Sequence, residues 1–340
     1  MHSRRDFLRL AGLGGAAVAG AGLLSACGGG SGGSGRGRAM QLGWIKNAQF
    51  AGEYFALEKG YYGDLGVTLV AGGAAGTSAE AALDTGKAWV GTSTPQNAAP
   101  AIRKGVPVVI VGAVLATSPM CIVSPAAEPL DAPKDLVGKK VGVADHNVPV
   151  VTALLKANGV DPGSVTIVPV QFDPTPLASG QVDAWSGFIT NEPVSLRMKG
   201  FETHSFMYAD HGLRMCAQTF VVARDTLKKE RDAVKAYLTA EIKGWKDALA
   251  DPAGGARLAV AKYGADQHLD QAQQTALLKA TVPLVATAET KRNGLFTLSD
   301  ALMNDTVAAL RRSGTDIGVE ELFDPSPLRE IYAADAALKS

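Results

Sequence analysis

MQLGWIKNAQFAGEYFALEKGYYGDLGVTLVA, Met40–Ala71, holds the unit from which the rest of the chain is built. Apolar residues gather at Gln41–Trp44, continue as an amphipathic stretch over Phe50–Lys59, and gather again at Val67–Ala71. Short apolar runs alternating with helical periodicity predict strand, helix and parallel strand, the repeating element of an α/β sheet.

The alternation continues toward the C-terminus. Further strands are expected near Ala88–Gly91, Val108–Leu115, Lys140–Val143, Val165–Pro169, Val182–Trp185 and Gln218–Ala223. Helices are expected between them over Ser78–Thr85, Pro95–Lys104, Val148–Asn158, Pro174–Ser179 and Asn191–Lys199, and the last hundred or so residues read as helix upon helix. Ala116–Ser118, leading into Pro119, is one candidate boundary, and Tyr208–Met215 is the other. Two crossings imply a discontinuous first lobe, residues 40–117 and 215–340, with residues 118–214 inserted as the second, and a cleft served by a two-strand hinge. No internal repeat is present.

The N-terminus carries an address. Ser3, Arg4, Arg5, Asp6, Phe7 and Leu8 form a twin-arginine export signal, followed by an Ala/Gly-rich apolar run to Leu24. Leu24, Ser25, Ala26 and Cys27 make a lipobox, so residues 1–27 are expected to be a lipoprotein signal and Cys27 the acylated mature N-terminus. Residues 28–39, rich in glycine and serine, read as a flexible tether. The expectation is a monomer exported and held by lipid at the outer face of the cytoplasmic membrane or in the periplasm.

Thirty-three basic residues balance thirty-three acidic ones, and nothing suggests nucleic acid, which would call for a basic face. Cys121 and Cys216 are either a disulfide or two buried thiols. No Cys/His cluster has metal-ligand spacing, and no cofactor motif is present. No nucleophile elbow, phosphate loop or paired carboxylates stand at motif spacing, so catalysis is not expected.

The run WIKNAQFAGEYFALEKGYYGDLGV, Trp44–Val67, closely resembles the opening of the periplasmic binding proteins related to thiamine-pyrimidine synthesis. That superfamily includes transporters for pyrimidine precursors, riboflavin, and nitrate or alkanesulfonates. Further similar segments follow in order: Gly86–Gly91 with Ser93, Lys104–Val111, Pro133–Gly142, Gly180–Ala184, Asn191–Pro193 with Gly200, and Gly244 with Trp245. The resemblance implies a type II periplasmic-binding-protein fold: two α/β lobes joined by a two-strand hinge, with extra C-terminal helices. It also implies delivery of a small molecule to an ABC permease and its ATPase subunit. A eukaryotic enzyme branch of the family uses a cysteine-rich motif and a reactive lysine and histidine. This chain has no cysteine cluster, and Phe50 stands where those enzymes and the pyrimidine-precursor binders carry histidine.

In such folds the ligand lies beyond the carboxyl ends of the strands. Trp44, Asn47, Gln49 and Phe50 follow the first strand, offering ring faces beside amides, and Tyr54 lies on the next helix. Ser93, Thr94 and Asn97 open another helix, with Gln96 read as a helix-start residue. Thr117 and Ser118 enter the cleft floor, as do Asp145, His146 and Asn147. Trp185, Phe188, Asn191 and Glu192 follow a second-lobe strand. Glu192 is the natural acceptor for an amino-substituted heterocycle, so Glu192→Gln is expected to weaken a heterocycle and to help or spare an anion. Trp245 reads as packing. These residues point to a small planar nitrogen heterocycle. Nitrate, taurine or another sulfonate held at Ser93 and Thr94 is the alternative, and an exported enzyme on the same fold is a third.

Overall fold

The structure is a computed structural model describing residues 37–340, with residues 74, 75, 172 and 340 excepted. The export signal, Cys27 and most of the tether lie outside the described residues.

Ten strands form two sheets: β1 (Ala39–Gln41), β2 (Thr68–Val70), β3 (Val90–Ser93), β4 (Val108–Leu115), β5 (Met120–Pro125), β6 (Lys140–Val143), β7 (Thr166–Pro169), β8 (Ala184–Phe188), β9 (Thr203–Met207) and β10 (Ala217–Ala223). The first sheet runs β2-β1-β3-β10-β4 and the second β7-β6-β8-β5-β9. In the first, β1 pairs parallel with β2 and β3, whereas β10 runs antiparallel between β3 and β4. In the second, β6 is parallel to β7 and β8, and β5 is antiparallel to β8 and β9. The chain passes between sheets twice, once after β4 and once before β10. The passing segments are joined where the Ser118 amide donates to the Met215 carbonyl at 2.7 Å.

This is the two-lobed α/β architecture expected from the sequence, with a two-strand hinge and a helical C-terminal region. Strand β4, VVIVGAVL, is buried along its whole length, as a near-continuous apolar run in a sheet covered on both faces should be. Strands β5 and β9 are additional to the expected set. β1 is shorter than expected, ending at Gln41, and β8 starts two residues later than Val182.

Between β1 and β10 lie α1 (Ala51–Glu58), α2 (Ala79–Asp84), α3 (Pro95–Arg103), α4 (Val148–Ala157), α5 (Thr175–Ala178) and α6 (Glu192–Met198). After β10 come α7 (Arg224–Lys229), α8 (Arg231–Ala250), α9 (Pro252–Leu258), α10 (Gln271–Val285), α11 (Ala288–Asn293), α12 (Asp300–Arg312), α13 (Val319–Leu322) and α14 (Ser326–Ala334). Side-chain caps start several of them: Ser78 caps α2, Thr94 caps α3, Asp270 caps α10 and Ser299 caps α12.

Helices α1 and α8 cross closely over the first sheet, and two glycines permit it. A Cβ on Gly244 would fall 2.2 Å from the Gly52 carbonyl oxygen, and one on Gly52 would fall 2.1 Å from Cδ1 of Trp245. Trp245 is buried in the main core of the first lobe, as its reading as a packing residue implied.

Helix α12 belongs to both halves. Leu302, Met303, Val307 and Leu310 join a cluster with Ala98, Ile110 and Ala113 of the first lobe, while Ala309 joins the core of the second with Leu154 and Leu155. Polar ties reinforce it: Arg214, beside the hinge, pairs with Asp305 at 2.9 Å and with Glu289 at 3.4 Å, and Arg312 donates to the Gly212 carbonyl. Cys121 and Cys216 are both buried free thiols. Among the described residues no helix is long and apolar enough to cross a membrane, and no His/Cys/Asp/Glu group has the geometry of a metal site.

Candidate ligand-binding site

The loop after β1 is tied down from three sides. The Asn47 side chain accepts the Gln49 amide at 3.0 Å and the Asn47 carbonyl accepts the Tyr54 hydroxyl at 2.9 Å. Gln274 of α10 accepts the Ala48 amide at 2.9 Å, and the Gln218 side chain donates to the Gln49 carbonyl at 2.8 Å. Residues more than 160 positions away thus fix the first loop of the fold. Trp44 is partly buried and packs against the first-lobe core. Phe50 and Tyr54, expected at the ligand, are fully buried core side chains, the Tyr54 ring stacking on Tyr263 with centroids 4.3 Å apart.

At the end of β3, Ser93 is buried and its hydroxyl donates to the Glu80 carboxylate of α2. The Thr94 side chain caps α3 by accepting the Asn97 amide at 3.3 Å, and Asn97 itself is exposed. Beside Ser93 in the sheet lies Thr219 of β10, a residue not singled out in the sequence. Thr219 is fully buried, and its Oγ1 has no hydrogen-bond partner among the described residues. The same holds for Oε1 of Gln96. At the hinge, Thr117 is partly buried, and the buried Ser118 accepts the Met120 amide at 3.4 Å.

In the second lobe Asp145 is exposed and Asn147 half-buried, while the His146 side chain lies outside the described residues. Trp185, expected at the ligand, is only 2% exposed and packs with Val123, Leu177 and Leu196. Its neighbour Ser186 shares a hydrogen bond of 2.9 Å with the buried Tyr208 hydroxyl. Phe188, two residues past Ser186, is 42% exposed.

Glu192 is turned back onto its own loop. One oxygen accepts the Phe188 amide at 2.6 Å and the other accepts the Asn191 side-chain amide at 3.0 Å. Burial pushes its carboxyl above the usual carboxylate range, while those two N–H groups pull the other way. The sequence put this carboxylate forward as a ligand acceptor; the structure engages both oxygens in shaping the turn between β8 and α6. Helix α6 then packs against α10, so the halves meet beside this turn.

The expected aromatics therefore divide: Phe50, Tyr54 and Trp185 are core, and Trp44 and Phe188 reach the surface. Two surface cavities of about 450 and 460 Å³ lie elsewhere. Thr297, Asp300, Arg329 and Tyr332 line one, and Arg103, Arg224, Glu320 and Glu321 line the other.

Residues 47–254 match the model of the family described as NMT1/THI5 like. The riboflavin-binding protein RibY of Chloroflexus aurantiacus is 25% identical over 297 residues, covering 84% of each chain. The formylaminopyrimidine-binding protein of Halalkalibacterium halodurans is 25% identical over 219 residues, 63% of this chain and 66% of that one. Among solved structures, the periplasmic sulfonate-binding protein SsuA of Methylobacillus flagellatus superposes with a TM-score of 0.61 at 16% identity, covering 88% of this chain and 94% of its own. The desulfurization enzyme DSZB superposes with a TM-score of 0.56 at 14% identity, covering 87% and 99%. The architecture is that of the periplasmic binding proteins.

Proposed function

The chain belongs to the NMT1/THI5-like family, and on that premise we propose that it is the solute-binding component of an ABC importer, taking a small planar nitrogen heterocycle between its lobes. A lipid on Cys27 anchors it outside the cytoplasmic membrane, and its partners are the importer's permease and ATPase subunit. The lobes are residues 40–117 with 215–340, and residues 118–214, a division supported by the hydrogen bond between Ser118 and Met215.

The observation that carries the ligand reading is Phe188. Among the described residues it is the one aromatic ring in the set of exposed large apolar side chains, and it stands at the end of a strand whose other side chains are buried. An aromatic face left in water at the mouth of a two-lobed fold suits stacking on a flat ring. The named activities of RibY and the formylaminopyrimidine-binding protein, both carriers of planar heterocycles, support the same class. The chain acts by binding and release, with no turnover.

The test is mass spectrometry of solute co-purifying under native conditions, followed by thermal-shift titration with riboflavin, formylaminopyrimidine, taurine and nitrate. A rise in melting temperature with the first two supports the reading. A response confined to taurine or nitrate replaces it with an oxyanion carrier. Chemical conversion of any solute makes the protein an enzyme. For the anchor, Cys27→Ser should shift the protein from the membrane to the soluble exported fraction.

A further inference from the structure

We propose that Thr219 and Gln96, beside the Glu80–Ser93 pair, form an acceptor-rich edge on the first lobe that selects ligands presenting N–H or NH2 groups and turns away oxyanions. This rests on the binding reading above and names the ligand edge that the first lobe reads.

Thr219 sits in β10 directly across from Ser93 of β3 and, on its other side, across from Ala113 of β4. It is fully buried, yet its hydroxyl has no partner among the described residues. A buried hydroxyl left without a partner is unfavourable, and valine would fill the same volume without that penalty. Helix α3, nine residues long, packs against β10 and carries Gln96 in its first turn, with the side-chain carbonyl buried and likewise unpaired. Two unmet polar groups therefore lie on adjoining elements at the carboxyl end of β3, where ligands of this architecture are received.

The backbone here is also held out of its ordinary range. Gln218, immediately before Thr219, has φ of +46°, a left-handed conformation that is uncommon outside glycine. Its side chain is pinned to the Gln49 carbonyl. Strain of this kind persists where surrounding contacts over-determine it, and it gathers at binding sites.

Donor and acceptor counting sets the ligand class. Ser93 has one hydroxyl hydrogen, and it goes to Glu80, so Ser93 and Glu80 are left with acceptor capacity. The free atom of Gln96 is a carbonyl oxygen, also an acceptor. The Thr219 hydroxyl is able to give or take, and Gln96 also carries two amide N–H donors, which are not among the buried unpaired atoms. Three acceptors and one ambivalent hydroxyl complement an amino or imide edge, whereas a sulfonate or nitrate would meet a carboxylate and a carbonyl.

The test is isothermal titration of the wild-type chain, Thr219→Val and Gln96→Leu with riboflavin, formylaminopyrimidine and taurine, alongside melting temperatures. The wild type is expected to bind a heterocycle. Each variant should bind it at least tenfold more weakly, with a melting temperature equal to or above that of the wild type. A purely structural role would do the reverse, lowering the melting temperature and leaving affinity alone. Heterocycle affinity within twofold of wild type in both variants overturns this inference while leaving the carrier reading intact. A wild type that prefers taurine, or binds none of the three, overturns the reading and the inference together.

Discussion

Tyr62 donates its hydroxyl hydrogen to Oε1 of Glu241 at 2.5 Å, deep between α1 and α8, and Glu241 shares that interior with a second buried carboxyl, Glu53. The other oxygen of Glu241 and both oxygens of Glu53 have no hydrogen-bond partner among the described residues. The Trp245 indole N–H lies near Glu53 without reaching hydrogen-bond geometry. Burial pushes the Glu241 carboxyl up to about 7, with the hydroxyls of Tyr62 and Tyr237 pulling down. Glu53, raised by burial and by Glu241, lies well above the usual carboxylate range.

A pH dependence follows from this pair. The unfolded chain releases these protons near the ordinary glutamate value, while the folded chain keeps them to a higher pH. Stability conferred by the neutral pair is therefore complete below pH 4.5 and is lost as pH rises through about 7. Melting curves from pH 5 to pH 8 should show the wild type falling and Glu53→Gln falling less, with the variant the more stable of the two at pH 8. Parallel curves for the two proteins would falsify the assignment.

The crossing of α1 on α8 leaves no room for a methyl group. Gly52→Ala drives its Cβ into the Trp245 ring, and overpacking of this kind costs about 1–3 kcal/mol. Chemical denaturation should report that loss as a lower midpoint with an unchanged slope. Wild-type stability in Gly52→Ala would mean that the helices separate freely at this point.

The two second-lobe aromatics should respond oppositely to truncation. Phe188→Ala is expected to leave the melting temperature unchanged and weaken heterocycle binding about tenfold, the scale of one lost stacking face. Trp185→Ala removes a ring packed among Val123, Leu177 and Leu196, which costs about 3–5 kcal/mol of stability. If Trp185→Ala melts like the wild type and only binding suffers, the ring contacts the ligand after all.

Glu192 gives a third contrast. Glutamine retains an oxygen for the Phe188 amide, so Glu192→Gln should fold and bind nearly as the wild type does. Alanine strands that amide and frees Asn191, at a cost of about 1–3 kcal/mol, and should weaken binding by loosening the loop that carries Phe188. A large affinity loss confined to the glutamine variant's heterocycle binding, with its stability intact, would return the carboxylate to the ligand.

Much of the architecture was legible because strand and helix leave different periods in the sequence, and caps such as Ser78 and Thr94 mark where helices begin. Strand β5 escaped notice because it follows β4 after only four residues with no glycine between them. Strand β9, Thr203–Met207, is half polar and lies at a sheet edge. Which aromatics face outward was legible only in part: Trp245 reads as packing and is buried, but Phe50, Tyr54 and Trp185 were expected at the ligand and are buried too. Tyr54 is covered by Tyr263, two hundred positions away, and position relative to a strand end carries no trace of that partner. Thr219 was missed, and Gln96 was read only as a helix-start residue, for a related reason. An unmet hydrogen bond is a property of the neighbours a side chain lacks, and sequence displays only the side chain.

Helix α12, rooted in both cores, is a third tie between the lobes besides the two connecting strands. A stiff element packed into both bodies restricts how they can shift against each other, so on the carrier reading proposed above opening is expected on the side away from α12.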